Sequence, residues 1–144
     1  MITRNRMRLP ILAPQAVVCP KGAPPRDAGA MSTLITYDAR DPFAVTLTLT
    51  TAGVDWVLAR ELLADGVNAP TGEGEVFVCP DVHGEATVWV TLHGEDSSLI
   101  LGFRRAEVEY ALDGMERIVP EGTESDRINW SREFGWIVSG GEAA

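Results

Sequence analysis

The stretch YDARDPFAVTLTLT, residues 37–50, decides the reading of this chain, together with WVLARELLADG at 56–66 and PTGEGEVFV at 70–78. Asp38-Ala39-Arg40-Asp41-Pro42 is a turn, because short carboxylates accept local backbone N–H groups and proline fixes φ. Phe43, Val45, Leu47 and Leu49 then alternate with Ala44, Thr46, Thr48 and Thr50. That period of two marks a half-buried antiparallel strand with a threonine-coated outer face. Thr51–Gly53 is a hairpin turn and Val54–Val57 the returning strand. Leu58–Asp65 reads as a two-turn helix with Leu58 or Ala59, Leu62 and Leu63 inward and Arg60, Glu61 and Asp65 outward. Gly66 stands where a left-handed residue would end it.

Outward from this stretch the pattern stays mixed. Glu75–Cys79 is apolar on both faces, which predicts a central or covered strand. Val88, Val90 and Leu92 face one way, and Thr87, Trp89 and Thr91 the other. Ser97–Phe103 pairs back as a hairpin. Val108, Ala111, Leu112, Met115 and Val119 form an apolar stripe over a helix at Arg104–Val119, ended by Pro120. A last helix is predicted to start near Thr123, with Trp130, Phe134 and Ile137 on one face. Trp136, six residues from Trp130, cannot share that face.

Residues 1–31 are poorly defined, with one short strand at Gln15–Cys19. Pro20–Arg26 holds three prolines and a glycine and breaks any regular element. The expectation is α+β: antiparallel sheets, a short mid-chain helix and two C-terminal helices, in one domain over 32–139 with a tail at 140–144.

Composition narrows the function. The chain has 144 residues and a net charge of −9, which disfavours nucleic acid, whose binding rests mainly on Lys and Arg. No apolar run approaches the ~18 residues of a membrane span. Pro10 and Pro14 interrupt the apolar start, so no secretory leader is read and the expected place is the cytoplasm. Cys19 and Cys79 are too few for a disulfide framework and read as reduced thiols.

Catalytic chemistry is weakly signalled. His83 and His93 lie at opposite ends of one strand, too far apart to share a metal. Ser97 and Ser98 near His93 lack a nucleophile elbow and an orienting acid, and read as hairpin serines. Asp38 and Asp41 read as turn caps rather than a carboxylate pair. Gly72-Glu73-Gly74 is a weak anion nest opposed by its own glutamates. No catalytic residue, cofactor or metal site is predicted. The better candidates are aromatic: Trp89 on the threonine side of its strand, and Trp130, Phe134 and Trp136, as oligomer or partner contacts.

The ordered set Tyr37-Asp38, Asp41–Val45, Trp56-Val57, Ala59–Leu63, Gly66, Pro70–Val76 and Val119–Glu124 resembles the SsgA-like sporulation and cell-division regulators of actinobacteria, over about Tyr37 to Ile137. Residues before about 30 do not follow that family's first strand. The resemblance implies a whirly-like fold, a homotrimer, and a non-enzymatic adaptor that helps position or recruit the FtsZ ring at septum sites, with FtsZ or another SsgA-like protein as partner. It also opens an alternative, since whirly proteins bind single-stranded nucleic acid on their sheets.

Overall fold

The computed structural model describes residues 1–84 and 86–128. Four strands, β1 (Arg6–Pro20), β2 (Arg26–Asp38), β3 (Ala44–Leu49) and β4 (Val54–Ala59), lead into helix α1 (Arg60–Gly66). Four more, β5 (Thr71–Glu73), β6 (Val76–Pro80), β7 (Thr87–His93) and β8 (Ser97–Arg104), lead into α2 (Arg105–Ile118). The chain thus runs twice through the same order, a four-stranded meander followed by a helix. All strands join one antiparallel sheet in the order β4-β3-β2-β1-β8-β7-β6-β5. Strand pairing joins the two meanders along β1 and β8, from Gln15↔Gly102 to Pro20↔Ser97.

The N-terminal region corrects the sequence reading. In place of a short strand at 15–19 it forms a strand of 15 residues. Met7, Ile11 and Ala13 point inward and are buried, while Arg6, Arg8, Pro10 and Leu12 are exposed on the other face. The prolines masked this alternation. Pro10 pairs with Leu34 of β2 in a part of β1 that, among the described residues, has no strand paired on its other side. Pro14 lies in a register shift between Ala13 and Ala16, where a missing N–H is tolerated.

The sheet curls around one core. Ile35, Tyr37, Val45 and Leu47 from the first meander meet Val78, Val88, Val90, Leu101 and Phe103 from the second. Each buried aliphatic or aromatic side chain contributes about 1.5–3 kcal/mol. Between the two free edges, Trp56–Ala59 of β4 and Glu73–Val76 of the β5–β6 hairpin line a common cavity. Gly74 turns that hairpin at φ 60°.

Helix α1 starts later than predicted: Leu58 and Ala59 belong to β4, and Leu58, Leu62 and Leu63 are buried. Gly66 does not end α1 in a left-handed conformation. It is the last helical residue, and a Cβ there would lie 2.3 Å from Val78 Cγ1. Its role is close helix–strand approach. Helix α2 matches its predicted stripe within a residue at each end, with Val108, Ala111 and Met115 buried. Beyond it the described residues hold one 3-10 turn, Glu124–Arg127. Thr123 Oγ1 donates to Pro120 O at 2.6 Å and does not cap that turn. The remainder of the predicted last helix lies outside the described residues, as do Trp130, Phe134 and Trp136.

Candidate interaction surface

Alternation along β5–β8 puts one set of side chains on the core and the other on an open outer face. Trp89, Thr91, Phe77, Cys79 and Ile100 occupy that outer face, as their registers Cys79↔Trp89, Phe77↔Thr91 and Thr91↔Ile100 require. Two aromatic rings lie over glycines of neighbouring strands. A Cβ at Gly102 would meet Trp89 Cζ3 at 2.7 Å, and one at Gly72 would meet Phe77 Cδ2 at 2.9 Å. Absent side chains therefore let each ring lie down on the sheet. Trp89 Nε1 donates to Asp81 Oδ1 at 3.1 Å, which fixes the indole in its plane.

The two helices approach the sheet from its inner side. Gly114 of α2 faces Met7, and Gly66 of α1 faces Val78, both core residues. Neither helix covers Trp89. Phe77 is 38% exposed, so the strand read as apolar on both faces is central in pairing but uncovered outside. The sequence carried this signal in its Phe77/Gly72 and Trp89/Gly102 pairs, but only the strand register reveals them. The predicted contact residue Trp89 is thus half-buried on the outer face, beside Phe77, which the sequence reading had placed in a central or covered strand.

A second feature ties the helices to the sheet. Arg60, expected outward, is buried. It donates from Nη1 to Tyr37 Oη (3.0 Å) and to Val119 O (2.8 Å), and from Nη2 to Glu116 Oε2 (3.0 Å). Its guanidinium also lies 5.5 Å from the Tyr37 ring centroid, within cation–π range. The error has a physical source. The helical phase was anchored on Leu58 and Ala59, which are strand residues, and α1 begins only at Arg60. Burial pushes the Tyr37 phenol above its ordinary pKa, against the opposing pull of Arg60. Tyr37 in turn donates to Pro42 O at 2.8 Å, closing the Asp38–Pro42 turn from inside.

The chemical candidates stay apart. Asp38 caps its turn as expected: Oδ1 accepts Arg40 N at 2.9 Å. The Arg40 side chain bonds the same carboxylate and holds its pKa below the usual range. His93 Nδ1 lies 2.8 Å from Ser98 Oγ across β7 and β8, an exposed cross-strand pair. Among the described residues no carboxylate bonds its other ring nitrogen, so nothing orients it as a base. Among the same residues no three His, Cys, Asp or Glu side chains converge in a way that could hold a metal, and no helix is long and apolar enough to cross a membrane.

Known proteins match this arrangement. Residues 31–124 fit the family described as Streptomyces sporulation and cell division protein, SsgA. The sporulation-specific cell division protein SsgB of Streptomyces coelicolor is 36% identical over 107 residues, 72% of this chain and 78% of that protein. SsgB of Frankia casuarinae is 33% identical over 129 residues, 87% of each. Among solved structures, an SsgA-like sporulation-specific cell division protein from Thermobifida fusca superimposes with a TM-score of 0.70 at 24% identity, covering 94% of this chain and 97% of that one. A structure reported with SsgB mutations in longitudinal cell division of Streptomyces coelicolor gives 0.63 at 30% identity, over 85% and 98%. The chain belongs to the SsgA-like family of sporulation and cell-division proteins.

Proposed function

We propose that this protein is a non-enzymatic adaptor in sporulation-specific cell division, helping to position or recruit the FtsZ ring at septum sites as a homotrimer with a whirly-like fold. Family membership supports the process, sporulation cell division. The observation that carries the adaptor reading is the aromatic face of Phe77 and Trp89, free of both helices. Phe77 is exposed and Trp89 half-buried, and aromatics held rigid lose little entropy on binding, which is what a contact surface needs. Partner contacts at Trp130, Phe134 and Trp136 belong to the same proposal.

The test is microscopy of sporulating filaments carrying fluorescently tagged protein. Wild type should gather at septa with FtsZ, and Trp89→Ala should spread through the filament while remaining folded. Unchanged septal bands in Trp89→Ala would remove this face from the assignment. Light scattering at tens of micromolar protein tests the trimer separately, and a strict monomer would end it.

A second reading has one observation in its favour: Phe77 and Trp89 form stacking platforms of the kind single-stranded nucleic acid uses. Against it, Arg104, opposite Thr87 on that face, is a single nearby cation among the described residues, in a chain of net charge −9. A mobility shift with mixed single strands at low salt decides it.

A further inference from the structure

The inner face of the curled sheet is closed at one end by α1 and α2. There Phe43, Ala59, Arg60, Leu112 and Glu124 line a shared cavity. The opposite end is open. Between the β3–β4 and β7–β8 turns lies a cavity of about 610 Å³, floored by inner-face side chains of both meanders: Val18, Met31, Leu49, Trp56, Leu92 and Leu99. Leu49 and Leu92 are buried core residues, and Met31, Trp56 and Leu99 pack on the core only in part. Among the described residues, the mouth is therefore a continuation of the core that no side chain fills.

Its charge pattern sets it apart. Ser32, Thr51 and Ser97 bring hydroxyls to the rim, and among the described lining residues none is ionisable. Four other cavities of the molecule all carry charge: Arg60 and Glu61 in one, Arg104 and Glu109 in another, Arg6 and Asp38 in a third, Glu73 and Glu75 in the last. In a chain with 23% charged residues, a concave site of this size without one is selective. Ligand sites typically measure about 300–1,000 Å³, with apolar walls and a few polar groups. An ion entering here would lose hydration and gain no counter-charge.

We propose that this mouth binds an uncharged, largely aliphatic small molecule with one hydroxyl or carbonyl for the rim hydroxyls. The proposal is independent of the adaptor reading. The two other occupants, residues 129–144 and a second copy of the chain, are outcomes that the test distinguishes.

Titration of the full chain with decanol, followed by heteronuclear NMR, tests the site. Saturable shifts should concentrate on the Leu49, Leu92 and Leu99 methyls and the Trp56 indole. Decanoate and decylammonium should bind at least about tenfold more weakly, the loss expected from an uncompensated charge. Ala52→Trp, from the exposed rim, should fill the mouth and weaken decanol by about tenfold or more. Ala30→Trp, on the β2 side, provides the same block if the first variant misfolds. The proposal is overturned by absent or non-saturable shifts, by shifts elsewhere, or by undiminished binding in folded Ala52→Trp or Ala30→Trp. It is equally overturned if, without ligand, the cavity methyls show NOEs to residues 129–144 or to a second copy.

Discussion

Nη1 of Arg60 lies 2.8 Å from the carbonyl oxygen of Val119, a bond between the first residue of α1 and the residue that follows α2. Each helix ends one meander, so this contact fastens the ends of the two halves to each other. The carbonyl is satisfied by a charged donor where the helical ladder has run out.

Loss of the guanidinium should therefore be felt throughout the fold. Arg60→Met is expected to cost about 3 kcal/mol in urea denaturation, because Val119 O loses a charged donor and Tyr37 Oη a partner inside the core. Glu116→Gln should cost less than about 1 kcal/mol, since the Glu116 side chain is 53% exposed. Equal losses would show that the ion pair, and not the buried node, is what matters.

Tyr37 gives a spectroscopic signature of the same node. Burial raises its pKa in the folded state. The folded chain therefore holds that proton more tightly than the unfolded chain. Its contribution to stability is complete below about pH 10, the ordinary tyrosine value, and is lost as the pH rises toward and through the folded value. The protein has two tyrosines, so Tyr110→Phe isolates the signal. Absorbance titration of that variant should show phenolate appearing above pH 10, and later than in the urea-unfolded chain.

Gly66→Ala tests the helix–strand approach. Its Cβ would overlap Val78 Cγ1 and sit 3.1 Å from Val78 O. A loss of about 3 kcal/mol is expected, at the upper end for overpacking. Val78→Ala in the same chain removes Cγ1 but leaves Val78 Cβ 2.4 Å away, so a double-mutant cycle of thermal melts should show little recovery.

Gly102→Ala probes the outer face without touching the core. The new methyl should lift the Trp89 ring and break its bond to Asp81, at about 1 kcal/mol of stability. Trp89 emission should shift to the red, and septal localisation should fall as it does for Trp89→Ala. Normal septa with a displaced indole would separate the ring's orientation from its role.

The sequence was legible where one periodicity ran unbroken. Val88–Leu92 came through with its buried face correct, and the stripe from Val108 to Val119 did so apart from Leu112, which is partly buried, and Ile118, which is buried beside it. It failed where a local rule competed with tertiary context. Pro10 and Pro14 argue against a strand, yet β1 accepts one beside a missing neighbour and the other in a bulge. Arg60 argues for solvent, yet Glu116, Tyr37 and Val119 O, all remote in sequence, satisfy it inside. The candidate face was half visible: Trp89 by its position among threonines, but not Phe77, whose outward side depends on which strands surround β6.

The seam between β1 and β8 also sets a timetable. A chain emerging from the ribosome at about 5–20 residues per second presents β1 seconds before its second neighbour exists. The first meander can pair within itself, but the Gln15–Pro20 edge stays open until Ser97–Arg104 has been made. Open strand edges invite pairing with other chains. Closure across so long a loop is also slow. The nascent protein is thus most prone to aggregate just before β8 arrives, and the sheet is joined across its seam only once Ser97–Arg104 has been made.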